Sequence, residues 1–159
     1  MAKLLFLSKR ARPDILTTIS FLTTWVREPD EDEQKKLARA LKYLNTTKDL
    51  LLTLECDGTG STKWWVDAEF AVHHSMWSHT GGIMSLGKGV MYSASMKKKL
   101  NTKSSTEAEL VGINHMMPQI LWMRYFLESQ GFTVSDIFVY QDNQISMKLD
   151  NNGQGSIGR

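Results

Sequence analysis

Apolar residues recur at three- to four-residue spacing in the first part of the chain, a pattern that predicts helices. A first helical segment is predicted over residues 3–26. It has a break or a new start at Pro13, because proline fits the first turn of a helix and not its interior. A second helix is predicted over residues 31–44, with acids in its first turn and bases later, as the helix dipole favours.

Strand-like runs replace the helical pattern in the middle of the chain. Strands are predicted over residues 50–54, 63–71, 81–86, 90–96 and 136–142. Residues 87–89, Gly-Lys-Gly, are predicted to form the turn of a hairpin. The Gly-rich run at residues 57–61 predicts a flexible boundary, so we divide the chain into residues 1–60 and residues 61–159.

The longest helical pattern covers residues 104–130 and ends at Gly131. Pro118 lies within it and is predicted to kink this helix or to split it in two. A short helix is predicted over residues 143–150. Strands followed by a helix, a strand and a helix give an α/β layout.

The composition narrows the class of protein. The 159 residues are 42% hydrophobic, which is enough for a packed core, and the net charge of +2 is too small to indicate nucleic-acid binding by itself. A single cysteine, Cys56, excludes an intrachain disulfide framework and a zinc site built on paired thiolates, and it fits a reduced, intracellular setting. No run of about 18 apolar residues exists, so we expect neither a transmembrane helix nor a membrane partner.

Two predicted strands carry a carboxylate that a buried strand has no reason of its own to contain. Asp67 interrupts the apolar run of residues 63–71, and Asp142 ends the apolar run of residues 136–142. Burying an unpaired charge is expensive. Carboxylates on a strand, at a helix start and at a strand end form the layout that holds divalent metal ions for phosphodiester hydrolysis.

The start of the long helix supplies the third carboxylate. Ser104 with Glu107, and Thr106 with Glu109, form two overlapping capping boxes, in which a hydroxyl accepts a hydrogen bond from a first-turn N–H group. One box is enough to cap the helix, and we assign Glu107 to it. Glu109 is then either a solvated first-turn acid or a side chain directed at the two strand aspartates.

Three motifs resemble the ribonuclease H domain of copia-type retrotransposon polyproteins, and the match runs over nearly the whole chain. They are Val66-Asp67-Ala68-Glu69-Phe70, Ser104-Ser105-Thr106-Glu107-Ala108-Glu109-Leu110 and Asp142-Asn143-Gln144. Residues 4–15 and 41–47 look like the connection that follows the reverse transcriptase in those polyproteins. Each motif is weak alone, but three in this order and spacing are specific.

The resemblance implies a ribonuclease H-like mixed sheet, with three antiparallel strands plus a parallel strand and flanking helices. It assigns metal-binding and catalytic roles to Asp67, Glu109 and Asp142, with two ions of Mg²⁺ or Mn²⁺ in a complete site. It also implies hydrolysis of RNA in RNA/DNA hybrids. The implied partner is the reverse transcriptase part of the same polyprotein, and the implied location is intracellular, in virus-like particles.

The family also has a fourth carboxylate near a histidine, and a fifth strand, after the D-N-Q element. No segment of this chain matches them. We therefore expect a truncated piece of a longer polyprotein that lacks the last strand. The alternative to a nuclease is a catalytically inactive remnant that binds nucleic acid or serves as a structural segment.

Candidate nucleic-acid contacts flank the three carboxylates. Lysines directly before the long helix lie where a phosphate backbone could run, and neutral donors suit contacts to the backbone and to 2′-hydroxyl groups. These residues are Lys97, Lys98, Lys99, Ser104, Ser105, Asn143 and Gln144. Glu69 shares a strand face with Asp67 by alternation, and is either a supporting acid or a solvated one at the strand end.

Overall fold

Helices lead the chain and strands follow, as the hydrophobic pattern predicts. The structure, a computed structural model, describes residues 1–69, 78–98, 102 and 104–142. Its helical elements are α1 (Ala2–Arg10), a 3₁₀ turn (Pro13–Ile15), α2 (Leu16–Thr23), α3 (Glu31–Thr46) and α4 (Ser105–Ser129). Its strands are β1 (Glu55–Cys56), β2 (Thr62–Glu69), β3 (His79–Ser85), β4 (Gly87–Lys88), β5 (Tyr92–Lys97) and β6 (Ile137–Tyr140). None of the helices in these residues is both long and apolar enough to cross a membrane.

Four strands form a mixed sheet in the order β5-β3-β2-β6. β3 lies antiparallel to both β2 and β5, whereas β6 runs parallel to β2 on its other side. The predicted combination of three antiparallel strands plus a parallel strand is therefore present. Because β2 and β6 run in the same direction, their carboxyl ends lie at the same edge of the sheet.

One face of the sheet packs against α4. Trp64 and Val66 of β2 are buried there and form a core with Met116 and Ile120 of the helix. Successive side chains of a strand point to opposite faces. Asp67 therefore projects from the other face, away from this core.

α4 is one continuous helix that lies very close to β2. A Cβ atom at Gly112 would lie 3.1 Å from the Cβ of Ala68, so a larger residue there would push the helix and the strand apart. Pro118 lies inside the helix; a kink at this position stays a prediction, but the alternative that it splits the helix in two is wrong. The reason is tertiary packing: Met116 and Ile120, on either side of the proline, are both anchored in the core.

The predicted strand over residues 50–54 is wrong. The chain enters a strand only at Glu55, which pairs with Lys88 of β4 in a separate two-stranded sheet. Three leucines of the predicted run are exposed. Leucine lacks the β-branch that favours strands, and a strand forms only where a neighbouring backbone pairs with it. The predicted turn at residues 87–89 supplies that partner, so the connection from β3 to β5 contains a short strand.

The leading helices form a second core and contact the β5 side of the sheet. Ile15, Ile19 and Ala40 pack together in this core. The hydroxyl of Ser20, which is buried, donates to the main-chain carbonyl of Ser95 in β5 at 2.5 Å. The predicted boundary therefore separates two segments that touch each other.

Arg12 connects the 3₁₀ turn to the end of α3. Its buried guanidinium donates to the carboxylate of Asp14 at 3.0 and 2.7 Å, and to the carbonyl and the hydroxyl of Thr47 at 2.9 and 2.7 Å. The hydroxyl of Tyr43 donates to the same carboxylate at 2.9 Å. The hydrogen bond from Arg12 is the main cause that lowers the pKa of Asp14.

Candidate metal centre

The parallel pairing of β2 and β6 brings two aspartates together. Trp65 pairs with Tyr140, so Asp67 and Asp142 each follow two residues later at the same edge of the sheet. α4 begins at this edge, and Glu109 lies in its second turn. One carboxylate oxygen from each of the three acids lies within 4.8 Å of the others. The prediction that Glu109 is directed at the two aspartates is confirmed.

Glu109 is buried, whereas the two aspartates are exposed. Only 5% of Glu109 is exposed. Its Oε1 accepts a hydrogen bond from the main-chain N–H of Ala68 at 3.2 Å, and its Oε2 accepts one from Nε2 of Gln141 at 2.9 Å. The alternative of a solvated first-turn acid is therefore wrong. The cap of α4 comes from Ser104, whose hydroxyl accepts from the N–H of Glu107 at 3.2 Å.

The electrostatics of the cluster favour a cation. Burial raises the pKa of Glu109, and the carboxylates of Asp67 and Asp142 raise it further, whereas the hydrogen bonds from Gln141 and Ala68 lower it. Three ionised acids at this distance repel one another, and a bound cation would relieve that repulsion. Carboxylate oxygens are the hard ligands that Mg²⁺ and Mn²⁺ prefer, so the donor set fits either ion.

A buried lysine lies beside the cluster. Lys98 is 6% exposed, and its ammonium group donates to the main-chain carbonyl of Ala108, the residue before Glu109. Burial lowers the pKa of Lys98, and the carboxylate of Glu109 acts in the opposite direction. Of the lysines predicted to contact nucleic acid, Lys97 at the end of β5 is partly exposed, whereas Lys98 turns inward, and a binding role for either stays a prediction.

The other predicted nucleic-acid contacts are described in part. Ser104 and Ser105 are exposed at the start of α4, close along the chain to Glu109. Lys99, Asn143, Gln144, the side chain of Glu69 and the helix predicted over residues 143–150 lie outside the described residues. Binding roles for all of these residues stay predictions.

Gln141 is not among the site residues predicted from the sequence, although the sequence contains a signal for its position. It precedes Asp142 directly, so alternation along the strand directs it to the opposite side, toward α4. A polar side chain between an apolar strand and a helix needs a hydrogen-bond partner. The second glutamate at the helix start, Glu109, is that partner.

A cleft of about 540 Å³ opens beside Asp67 and Asp142. One wall is the sheet face that α4 leaves uncovered, and the other is the 3₁₀ turn with the start of α2. Its lining includes Pro13, Leu16, Thr17, Trp65, Ile83 and Tyr140. The rings of Trp65 and Tyr140 stack in it with centroids 5.2 Å apart. The two exposed carboxylates therefore adjoin a space that can admit part of a larger ligand.

Comparison with known proteins gives this site a context. The chain is 30% identical over 122 residues to the putative transposon Ty5-1 protein of Saccharomyces cerevisiae, an alignment that covers 76% of this chain. It is 27% identical over 145 residues, or 89% of this chain, to the retrovirus-related Pol polyprotein from transposon TNT 1-94 of Nicotiana tabacum. These relatives are a transposon protein and a Pol polyprotein, and the chain is similar in sequence to both. No family model matches it.

The chain spans only part of these relatives: 40% of the yeast protein and 11% of the tobacco polyprotein. A third relative is closer to it in length. The secreted RxLR effector protein 161 of Plasmopara viticola is 26% identical over 121 residues, an alignment that covers 76% of this chain and 85% of the effector.

Proposed function

We propose that this protein hydrolyses the RNA strand of RNA/DNA hybrids with the help of divalent cations, as a ribonuclease H-like segment of a retrotransposon polyprotein. One observation carries the proposal. Carboxylates from a strand, a helix start and a strand end converge within 4.8 Å in a chain that is similar to a Pol polyprotein. The α/β fold with its mixed sheet is compatible with it. The protein would act inside the cell with the reverse transcriptase part of the same polyprotein.

Asp67, Glu109 and Asp142 would hold the cation. The two aspartates are exposed beside the cleft, so they can reach an ion and a substrate phosphate together. Glu109 is held in position by two N–H donors. When bound, two ions of Mg²⁺ or Mn²⁺ would activate a water molecule and stabilise the leaving oxygen of the RNA strand.

Substrate binding is assigned to the start of α4 and its surroundings. N–H groups and the helix dipole favour a phosphate at a helix start, and the exposed hydroxyls of Ser104 and Ser105 lie beside them. Lys97 would add positive charge at the end of β5. Asn143 and Gln144 are proposed as RNA contacts on the basis of the sequence alone, because their amide groups can donate to the 2′-hydroxyl group that distinguishes RNA from DNA.

Calorimetry with Mg²⁺ and Mn²⁺, followed by cleavage of a labelled hybrid, tests the proposal. The wild-type chain should bind the cation and cut RNA in the hybrid, but leave single-stranded RNA and double-stranded DNA intact. Asp67→Asn and Asp142→Asn should each abolish most of the cation binding, because each removes a ligand charge. Asp136→Asn changes an exposed aspartate just before β6 and should behave like the wild type.

Two results would contradict the nuclease. Cation affinity that is unchanged in both Asp67→Asn and Asp142→Asn would exclude these carboxylates as the site. Binding of hybrid and cation without any cleavage would favour the second function, a segment that binds nucleic acid but does not hydrolyse it. The sequence leaves this second function open as the alternative to a nuclease.

A further inference from the structure

Glu109 is tied to both strands that carry the aspartates. Its Oε1 accepts from the N–H of Ala68, the residue after Asp67, and its Oε2 accepts from the side chain of Gln141, the residue before Asp142. Each donor is thus the sequence neighbour of an aspartate. The two hydrogen bonds therefore fix the helix carboxylate relative to the other two carboxylates.

The orientation of the Gln141 amide follows from chemistry. An ionised carboxylate only accepts hydrogen bonds, so the NH₂ group of the amide must face Glu109 and the carbonyl oxygen must point away from it. Nε2 of Gln141 lies 2.9 Å from Oε2 of Glu109, as this requires. Both amide atoms belong to one planar group, so the carbonyl oxygen also lies within a few ångströms of the cluster.

That carbonyl oxygen has no hydrogen-bond partner among the described residues. Oε1 of Gln141 is a buried atom without a donor, in a part of the chain where most buried polar groups are paired. An unpaired buried acceptor destabilises a folded protein, so its presence needs an explanation. A donor that arrives with a ligand is one such explanation. Water bound to a divalent cation is a strong donor of this kind.

We propose that Gln141 is a positioning residue for the cation site: it orients Glu109 through its NH₂ group, and its carbonyl oxygen accepts a hydrogen bond from water that hydrates the bound cation. This inference rests on the proposed function, because it requires a cation at the three carboxylates. Groups that hold metal ligands in position commonly affect metal affinity about 10- to 100-fold. Gln141 is therefore a determinant of affinity and not a ligand.

Gln141→Met tests the inference, since methionine keeps the length of the side chain and removes the amide, and with it both the NH₂ donor and the carbonyl acceptor. Mn²⁺ binding is measured by calorimetry on the full chain, and thermal unfolding is measured in EDTA. We expect Gln141→Met to bind Mn²⁺ about 10- to 100-fold more weakly than the wild type. Its unfolding temperature in EDTA should stay close to that of the wild type, because the variant loses the hydrogen bond to Glu109 but also loses the cost of the unpaired buried acceptor. Gln119→Met is the matched control, a half-buried glutamine on α4 about 15 Å along the helix from Glu109.

Every result decides the question. Unchanged Mn²⁺ affinity in Gln141→Met would overturn the inference but leave the proposed function standing, provided that Asp67→Asn still loses the ion. A lower unfolding temperature with unchanged affinity would make Gln141 a structural residue only, which also overturns it. No Mn²⁺ binding by the wild type would overturn both. If Gln141→Met does not fold, Gln141→Asn replaces it, because its shorter amide cannot reach Glu109 and should weaken binding in the same way.

Discussion

The buried ammonium group of Lys98 donates to the main-chain carbonyl of Ala108, the residue directly before Glu109, which is the buried carboxylate of the cluster. A positive charge thus lies close to Glu109, one of the three acids of the cluster. It offsets part of their mutual repulsion when no ion is bound, and it opposes a cation that binds to the same acids.

Lys98→Met should therefore raise the affinity for Mg²⁺. We expect a gain of roughly tenfold, which corresponds to about 1.4 kcal/mol, because one repelling charge is removed while the apolar stem is kept. Calorimetry at low salt gives the measurement. Lys97→Met, a change in the adjacent and partly exposed lysine, is the control and should produce a smaller gain. Equal gains in the two variants would mean that only net charge matters.

Glu109 should make the stability of the cation-free protein depend on pH. Its pKa in the folded state is raised, first by burial, above the value of about 4.3 expected for an unfolded glutamate. Its contribution to stability is therefore complete below the unfolded pKa and is lost as the pH rises through the folded pKa. In EDTA, Glu109→Gln should be more stable than the wild type near pH 7, and this advantage should shrink toward pH 4.

Thermal unfolding of both proteins across this pH range checks the prediction. Glu107→Gln, a change two residues earlier on the same helix, is the control for the loss of one negative charge. An advantage of Glu109→Gln that stays constant from pH 4 to pH 7 would rule out titration of this carboxylate as the cause.

Gly112→Val should lower both stability and cation affinity. The added Cβ would lie 3.1 Å from that of Ala68, and the two methyl groups beyond it would crowd β2 further. Overpacking of this kind costs about 1–3 kcal/mol, measurable as a lower urea midpoint. Since α4 carries Glu109 and β2 carries Asp67, a displaced helix should also bind Mg²⁺ more weakly. Asn114→Val, at an exposed position of the same helix, should leave the affinity unchanged.

Arg12→Lys should destabilise the protein almost as much as Arg12→Met does. The guanidinium contacts Asp14 through Nε and Nη2 and, at the same time, Thr47 through Nη1 and Nη2. A lysine ammonium cannot reproduce that planar fork. Urea unfolding at neutral pH compares the variants. Arg10→Lys, in the last turn of α1, is the control and should have little effect. Full recovery of stability by Arg12→Lys would show that charge alone suffices.

The sequence is sufficient to predict the parts of this protein that depend on local pattern. An apolar, strand-like run identifies β2, and a proline marks the start of the 3₁₀ turn. A capping box followed by a second acid identifies the start of α4. Asp67 and Asp142 stand out because each interrupts or ends an apolar run. These signals involve only neighbours along the chain, so the sequence of one protein is enough to reveal them.

Features that depend on distant pairing could not be predicted in this way. The prediction of a strand over residues 50–54 is wrong because its leucines do not indicate which backbone segment lies beside them. β1 forms a strand only because β4 pairs with it. Lys98 lies in a run of three lysines, and only the path of the chain after β5 decides which of them turns inward. The role of Gln141 requires knowledge that α4 lies on its side of β6.

The parallel pairing of β2 with β6 also has a consequence for the order of folding. Thr62 pairs with Ile137, about 75 residues later in the chain, whereas β2, β3 and β5 pair with nearer neighbours. Closing so long a loop carries a large entropic cost before any contact forms, so non-local pairings slow folding. We expect β6 to join the sheet late, and the three acids to come together only in that step. A cation would then slow the unfolding of the protein more than it would speed its refolding.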